Sequence, residues 1–394
     1  MTRLLLSLML VTALAGCTTA PVGTCPPPPA CPICPACLPP VTVKPPERPL
    51  QPASWGDLPG WHEDDVRPAL TAFAASCAAL EKQALWRDVC AAARAAQPAD
   101  AGEARAWFES RFQPWALVNP DGSRQGLITG YYEPVIRASR TRKPAFSHPL
   151  FGPPADLIDV ELADLYPELK HMRLRGRLVG RRLVPYFSRD EWADQAAARA
   201  ADVLLWGDDA LDLFFMEIQG SGQAVLDDGT RIRVSYADQN GHPYRSVGRW
   251  LVDQGEMKAD QASMQNIKAW AQGHPGRVRE MLAANPSLVF FRELPLADIG
   301  PPGALGVALT PERSIAVDPR QVTLGAPVFL ATTRPDDGQP LDRLMLAQDT
   351  GGAIRGVVRA DFFWGSGAEA GNRAGRMRQQ GSLWLLMPLS YSPR

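Results

Sequence analysis

Apolar positions along this chain change period several times, and each change predicts an element. Leu70, Phe73, Cys77 and Leu80 share one helical face, and Trp86, Val89, Cys90 and Ala93 share another, so two helices are predicted between about residues 70 and 96. Glu103 to Phe112 predicts a third, with Trp107, Phe108 and Phe112 inward. Asn119-Pro120-Asp121-Gly122 is a turn. The segment from Gly126 to Val135 then reads as a strand closed by Pro134. Further on come strand signals at Leu178-Val179 and Leu183-Val184 and an amphipathic helix around Glu191–Leu204. Leu211 to Gln219 predicts a buried strand from its apolar density, running into Gly220-Ser221-Gly222. Val225 to Val234 predicts a hairpin with Asp228-Gly229 at its turn. Ser246–Val252, Ser263–Trp270 and Arg277–Ala284 are helical, the last stopped by Asn285-Pro286. From Gly303 onward, Ser314–Val317, Pro327–Ala331, Leu344–Gln348, Ile354–Val358 and Ser382–Leu386 are short apolar strands split by Gly and Pro. That pattern predicts a small closed barrel.

The N-terminus has a different character. Met1-Thr2-Arg3 precedes an apolar run to Ala15, the form of a secretory signal. The run is too short to cross a bilayer, which takes about 20 apolar residues. It ends in Leu14-Ala15-Gly16-Cys17, which resembles a bacterial lipoprotein box. That resemblance implies cleavage before Cys17 and lipid on Cys17, and Thr18 next to it implies the outer membrane. Cys25, Cys31, Cys34 and Cys37 follow in a proline-rich stretch. Proline-rich chain is extended and lacks the folded cage a zinc site needs, so this is a stiff tether. Cys77 and Cys90 are candidates for one disulfide, with two buried thiols as the alternative.

Length and charge narrow the function. The chain has 394 residues, room for about two domains. It carries 41 basic and 42 acidic side chains, so no overall field favours nucleic acid. The five histidines show no metal-binding spacing, and no phosphate-binding loop or Gly-x-Ser-x-Gly elbow is present, so neither metal nor cofactor is expected. The sharpest signal is Asp349-Thr350-Gly351-Gly352 followed by Asp361-Phe362-Phe363-Trp364. A strand returning antiparallel brings both carboxylates to one end of a barrel. Rings beside Asp361 would desolvate it and raise its pKa, which suits protonation of a glycosidic oxygen. The same residues also suit plain turn capping.

A resemblance decides between these. Asp318, Asp349 and Asp361 resemble the three aspartates of the three-aspartate domain. Gly126–Val135, Gln219–Gly222, Asn240–Gly248, Ser263–Gln265, Asn285–Phe291 and Glu369–Gly371 resemble segments of the membrane-bound lytic murein transglycosylase A family, in the family's order from about residue 60 to 388. The resemblance implies a mainly β fold with accessory helices, a double-psi β-barrel with a second smaller inserted β-domain. It divides the chain into a signal peptide (1–16), a tether (17–55), N-terminal helices and first barrel strand (56–134), the inserted β-domain (135–240), a helical return (241–295) and the three-aspartate part (296–390). It implies non-hydrolytic cleavage between N-acetylmuramic acid and N-acetylglucosamine of peptidoglycan, leaving 1,6-anhydromuramoyl ends. Asp361 matches the family's general acid, which then serves as base. Asp349 is its support, by hydrogen bond or like charge, and Asp318 is structural. Thr129, Gly130, Tyr131, Tyr132, Gln219, Ser221 and Gly222 would line the substrate groove. Tyr236 and Tyr244 are weaker candidates. The expected partners are glycan strands, a membrane reached through the lipid anchor, and other cell-wall enzymes. The alternatives are a non-catalytic peptidoglycan-binding scaffold and an inverting β-glycan hydrolase.

Overall fold

The computed structural model describes residues 49–169, 172–195, 198–296 and 300–392. Cys17, Cys25, Cys31, Cys34 and Cys37 lie outside them. The main sheet has eight strands in the order Leu50–Pro52, Phe112–Leu117, Arg378–Pro388, Pro327–Thr333, Pro340–Asp349, Ser314–Val317, Ala360–Ser366, Gly126–Glu133. The last of these also pairs antiparallel with Arg378–Pro388, opposing Thr129 to Arg378 and Gly126 to Gly381. Six strands therefore close into a hydrogen-bonded ring without free edges. Two of its pairings are parallel, Ser314–Val317 with Pro340–Asp349 and Ala360–Ser366 with Gly126–Glu133.

A second sheet of six strands runs Val289–Leu294, Arg231–Gln239, Ser221–Leu226, Val135–Ser139, Val203–Gly207, His148–Phe151. A small sheet of Ile158–Asp159, Arg175–Val179 and Arg182–Pro185 falls in sequence between two of its strands, His148–Phe151 and Val203–Gly207. The chain passes from barrel to second sheet at Pro134, directly between Gly126–Glu133 and Val135–Ser139. Proline cannot donate to a ladder, so it suits the point where one sheet stops and another begins.

Helices Arg67–Leu80, Arg87–Ala95 and Ala101–Glu109 cover one side of the barrel. Their buried face carries Phe73, Trp86 and Phe108 against Phe112, and Cys77 is disulfide-bonded to Cys90. Asp100 caps the third helix by accepting from the Glu103 N–H. That helix stops at Glu109, and Phe112 opens a strand rather than ending a helix.

Three further sequence expectations change. Leu211 to Gln219 is not a strand but part of the helix Ala210–Gln219. Asp209 accepts from the Leu211 and Asp212 N–H groups at its start, and Gly220 ends it in the left-handed conformation at φ 79°. The helix hides its period because two cores claim it: Leu213 and Met216 enter the core of the second sheet, while Leu211, Phe214 and Phe215 pack among the helices Val247–Asp253 and Met264–Gly273. A helix apolar on nearly all sides reads like a buried strand. The helix expected over Glu191–Leu204 spans only Arg189–Gln195, and Val203–Gly207 is a strand. Ile354–Val358 is a loop, and the strand beyond it starts at Ala360.

Candidate active site

The strand Ser314–Val317 is short and lies between two longer ones. Its Ala316 stands opposite Asp349 on one side and Asp361 on the other. Partners in register point to the same face of a sheet, and neighbouring strands lie about 4.8 Å apart. Two carboxylates twelve residues apart in sequence are thus set two strand spacings apart, on either side of a methyl group.

Asp361 lies in register with Thr129 of the parallel strand Gly126–Glu133. The Thr129 hydroxyl donates to Asp361 Oδ1 at 2.6 Å, and Arg359 Nη2 donates to that hydroxyl at 2.9 Å. Phe363, two residues on and on the same face, joins Tyr131, Leu309, Ala316 and Ile354 in a small buried cluster. Phe363 and Tyr131 pack at 5.1 Å between ring centres. The Asp361 residue keeps partial exposure, but its carboxyl sits against this apolar cluster. Burial pushes its pKa up to about 6; the Thr129 hydrogen bond and the Arg359 charge pull the other way, and the Asp349 charge pushes further up. Burial likewise lowers the pKa of the Arg359 guanidinium, which still remains cationic at neutral pH.

Asp349 is held differently. Its Oδ1 accepts from the Ala304 and Thr350 N–H groups, each at 2.9 Å, and its Oδ2 accepts from the Tyr131 hydroxyl at 3.0 Å. Burial raises its pKa against those three donors. Burial and the two carboxylates keep the Tyr131 hydroxyl protonated, so Tyr131 acts as donor. Among the described residues no hydrogen bond joins Asp349 to Asp361, so the two carboxyls communicate through charge. Asp318 ends the short strand. Its buried carboxylate accepts from the Arg320 side chain and from the Gly356 N–H at 3.0 Å, which holds it well below the usual carboxylate range. It thereby ties the strand end to the loop that joins Asp349 to Asp361.

A groove of about 640 Å³ runs from Asp349 and the loops 302–304 and 350–353 to the second sheet, where Gln219, Ser221, Ser235 and Tyr236 line it. A smaller cavity of about 200 Å³ adjoins it, sharing Gln219 and Tyr244 and adding Gly130 and Tyr132. Gln219 Oε1 accepts from the Tyr132 N–H at 3.0 Å, which points its amide nitrogen away from the strand. Of the expected groove residues, Thr129 and Tyr131 reach the two carboxylates, while Tyr132, Gln219 and Ser221 reach the cavities. Both glycines are closely packed, and Gly130 also lines the smaller cavity. A Cβ on Gly130 would come within 2.7 Å of Trp364 Nε1, and one on Gly222 within 2.4 Å of Met216 Sδ. Gly222 lines neither cavity. The sequence expectation omitted Arg359, although its position two residues before Asp361, just ahead of the strand, was the available signal. Among the described residues, no group of three His, Cys, Asp or Glu side chains is placed to hold a metal ion.

Comparison with known proteins gives this arrangement a family. Residues 127–292 match the MltA specific insert domain and residues 313–387 the 3D domain. Membrane-bound lytic murein transglycosylase A of Escherichia coli K12 is 35% identical over 294 residues, 72% of each chain. The crystal structure of MltA from Neisseria gonorrhoeae superposes with a TM-score of 0.76 at 39% identity, covering 88% of this chain and 94% of that one. That of E. coli MltA with bound chitohexaose does so with a TM-score of 0.63 at 30% identity, covering 88% and 93%. The fold and its relatives are those of the lytic murein transglycosylases, peptidoglycan-cleaving lyases. Within that class, the chain belongs to the membrane-bound lytic murein transglycosylase A family.

Proposed function

We propose that this protein cleaves the β-1,4 bond between N-acetylmuramic acid and N-acetylglucosamine in peptidoglycan without water, leaving 1,6-anhydromuramoyl ends. The observation that carries this reading is the Asp361 carboxyl, pushed up to about 6 by burial yet fixed by the Thr129 hydroxyl. A carboxyl with that pKa holds its proton in a useful fraction of molecules near neutrality. It protonates the bridging oxygen as the C1–O bond breaks. The C6 hydroxyl of the same muramoyl residue then attacks C1, and its proton returns to the Asp361 carboxylate. The nucleophile belongs to the sugar, so proximity replaces the second carboxylate that hydrolases use to activate water. Asp349 sits at the groove end and adds its like charge to the burial that keeps Asp361 protonated; Asp318 positions the loop between them. Mass spectrometry of digested sacculi tests the reaction. Anhydro ends are expected; reducing ends would indicate a hydrolase, and intact strands a binding scaffold.

Turnover depends on the neutral form of Asp361, so it falls as pH rises through about 6, about tenfold per pH unit beyond it. Asp349→Asn removes a like charge, which lowers the pKa of Asp361. The descending limb of kcat/KM then moves to lower pH, with a smaller loss of turnover than any change at Asp361 itself. A limb that stays in place, or a loss matching that of Asp361→Asn, would reverse the two roles.

The ring of six strands with two parallel pairings supports a double-psi barrel. The second sheet supports a smaller domain inserted after Pro134. The lipoprotein box supports an outer-membrane lipoprotein facing the periplasm, held by lipid on Cys17. Cys17→Ala is expected to move the protein from the membrane fraction to the soluble periplasm. Retention in the membrane would contradict the anchor.

A further inference from the structure

The second sheet carries two polar rows on the face bearing Arg233 and Ser235, which alternate along one strand. In the first row Gln223 opposes Arg233, and both side chains end on Glu133 of the barrel. In the second row Ser221 opposes Ser235, and Ser235 opposes Arg292. All three residues of that second row line the groove. Arg292 stands on the outermost strand and is exposed, and among the described residues no carboxylate pairs with it. Arg173 reaches the same wall, its guanidinium 5.5 Å from the Tyr236 ring centre and its Nη1 3.4 Å from the Tyr236 hydroxyl, again with no acidic partner among the described residues. The remaining groove arginine, Arg189, is already matched by Glu217 through two bonds of 3.0 and 2.7 Å. Among the described residues the groove wall therefore holds two guanidinium groups without counter-charge, one row away from an arginine of the same sheet face that takes a carboxylate.

We propose that Arg292, assisted by Arg173, is a carboxylate-binding subsite for the peptide stems of peptidoglycan. This rests on the lyase reading above and extends it from the glycan to its substituents. In a peptide-bearing strand the lactyl carboxyl is tied up in the amide to the stem, so the glycan itself offers hydroxyls and amides, which do not need two cations. The stems that branch from the muramoyl lactyl group carry carboxylates, and a guanidinium fork matches a carboxylate in geometry as well as charge. The subsite makes peptide-bearing strands the preferred substrate and gives the preference a salt dependence, because the arginines are solvent-accessible.

The test compares two substrates: purified peptide-bearing strands, and the same strands freed of peptide by an amidase and then amidated at the lactyl carboxyl that the amidase uncovers. For the full-length protein, KM is expected to be about tenfold lower for the peptide-bearing strands, the scale of one charge-assisted contact. In Arg292→Ala, and more fully in Arg173→Ala/Arg292→Ala, that KM ratio collapses towards one, while Arg292→Lys keeps part of it. A ratio near one in the wild type, or an unchanged ratio in the double variant, would overturn the subsite and leave the lyase reading standing. Cleavage of neither strand by the wild type would remove both.

Discussion

Asp361→Asn protein is expected to fold, to bind glycan and to lose murein cleavage by about 10³-fold or more, the scale of a lost general acid. An amide keeps the shape of the group and still accepts from Thr129, but it has no proton to give at the leaving oxygen. The same variant should be more stable than the wild type at alkaline pH. The folded pKa of Asp361 lies above its unfolded value, so the fold favours the neutral acid. Below about pH 4 both states are protonated and no penalty exists. As pH rises through about 6, the native carboxyl must ionise in an apolar setting, and the wild type loses stability that the amide retains. Discounted for the partial exposure of Asp361, the gain is about 2 kcal/mol at pH 8. Chemical denaturation of both proteins at pH 4 and pH 8 measures it. A variant that keeps its turnover, or gains stability equally at both pH values, would show that Asp361 is neither the acid nor the strained group.

The largest expected loss of stability lies at the junction of the two sheets. Arg233 Nε donates to Glu133 Oε1 at 2.6 Å, with both side chains almost wholly buried. Gln223 and the Ser366 hydroxyl also donate to Glu133, at 2.8 and 2.6 Å. Arg233→Met removes the cationic side chain paired with this carboxylate and is expected to cost about 3–5 kcal/mol, because a buried charge is left unpaired. Glu133→Gln combined with Arg233→Met should recover much of that loss, since the double change leaves no orphaned ion. Urea unfolding of the three variants decides it. A single variant that costs less than about 1 kcal/mol, or two changes that simply add, would show that the pair does not act as a unit. Glu133 is the last residue of the strand that carries Thr129 and Tyr131, so the junction also bears on how the groove walls meet.

Much of this molecule was legible in its residues, and the exceptions have physical causes. The strands Ser314–Val317 and Pro327–Thr333 were readable because Gly and Pro punctuate short apolar runs fully buried inside a barrel. The Asp349 and Asp361 pair was visible as a motif. Their placement across Ala316 was not, because it depends on a third strand more than thirty residues upstream of Asp349. The helix Ala210–Gln219 was misread because it is buried between two cores, which erases the polar stripe that periodicity needs. Asp209 and Gly220, its caps, were the better signal. Gly222 was expected at substrate, yet it lines neither cavity and packs against Met216, while Gly130 lines the smaller cavity as well as packing against Trp364. Arg292 could not be singled out in advance, because its meaning comes from lying in one cross-strand row with Ser221 and Ser235.

The proposed catalysis rests on a proton held on one carboxyl. Titration of the protein by ¹³C NMR with labelled aspartate carboxyl carbons, assigned by comparison with Asp361→Asn, observes that proton directly. A resonance that titrates near pH 6 and disappears in the variant is the predicted result. A resonance for Asp361 that titrates at or below the ordinary aspartate value of about 4 would contradict the account.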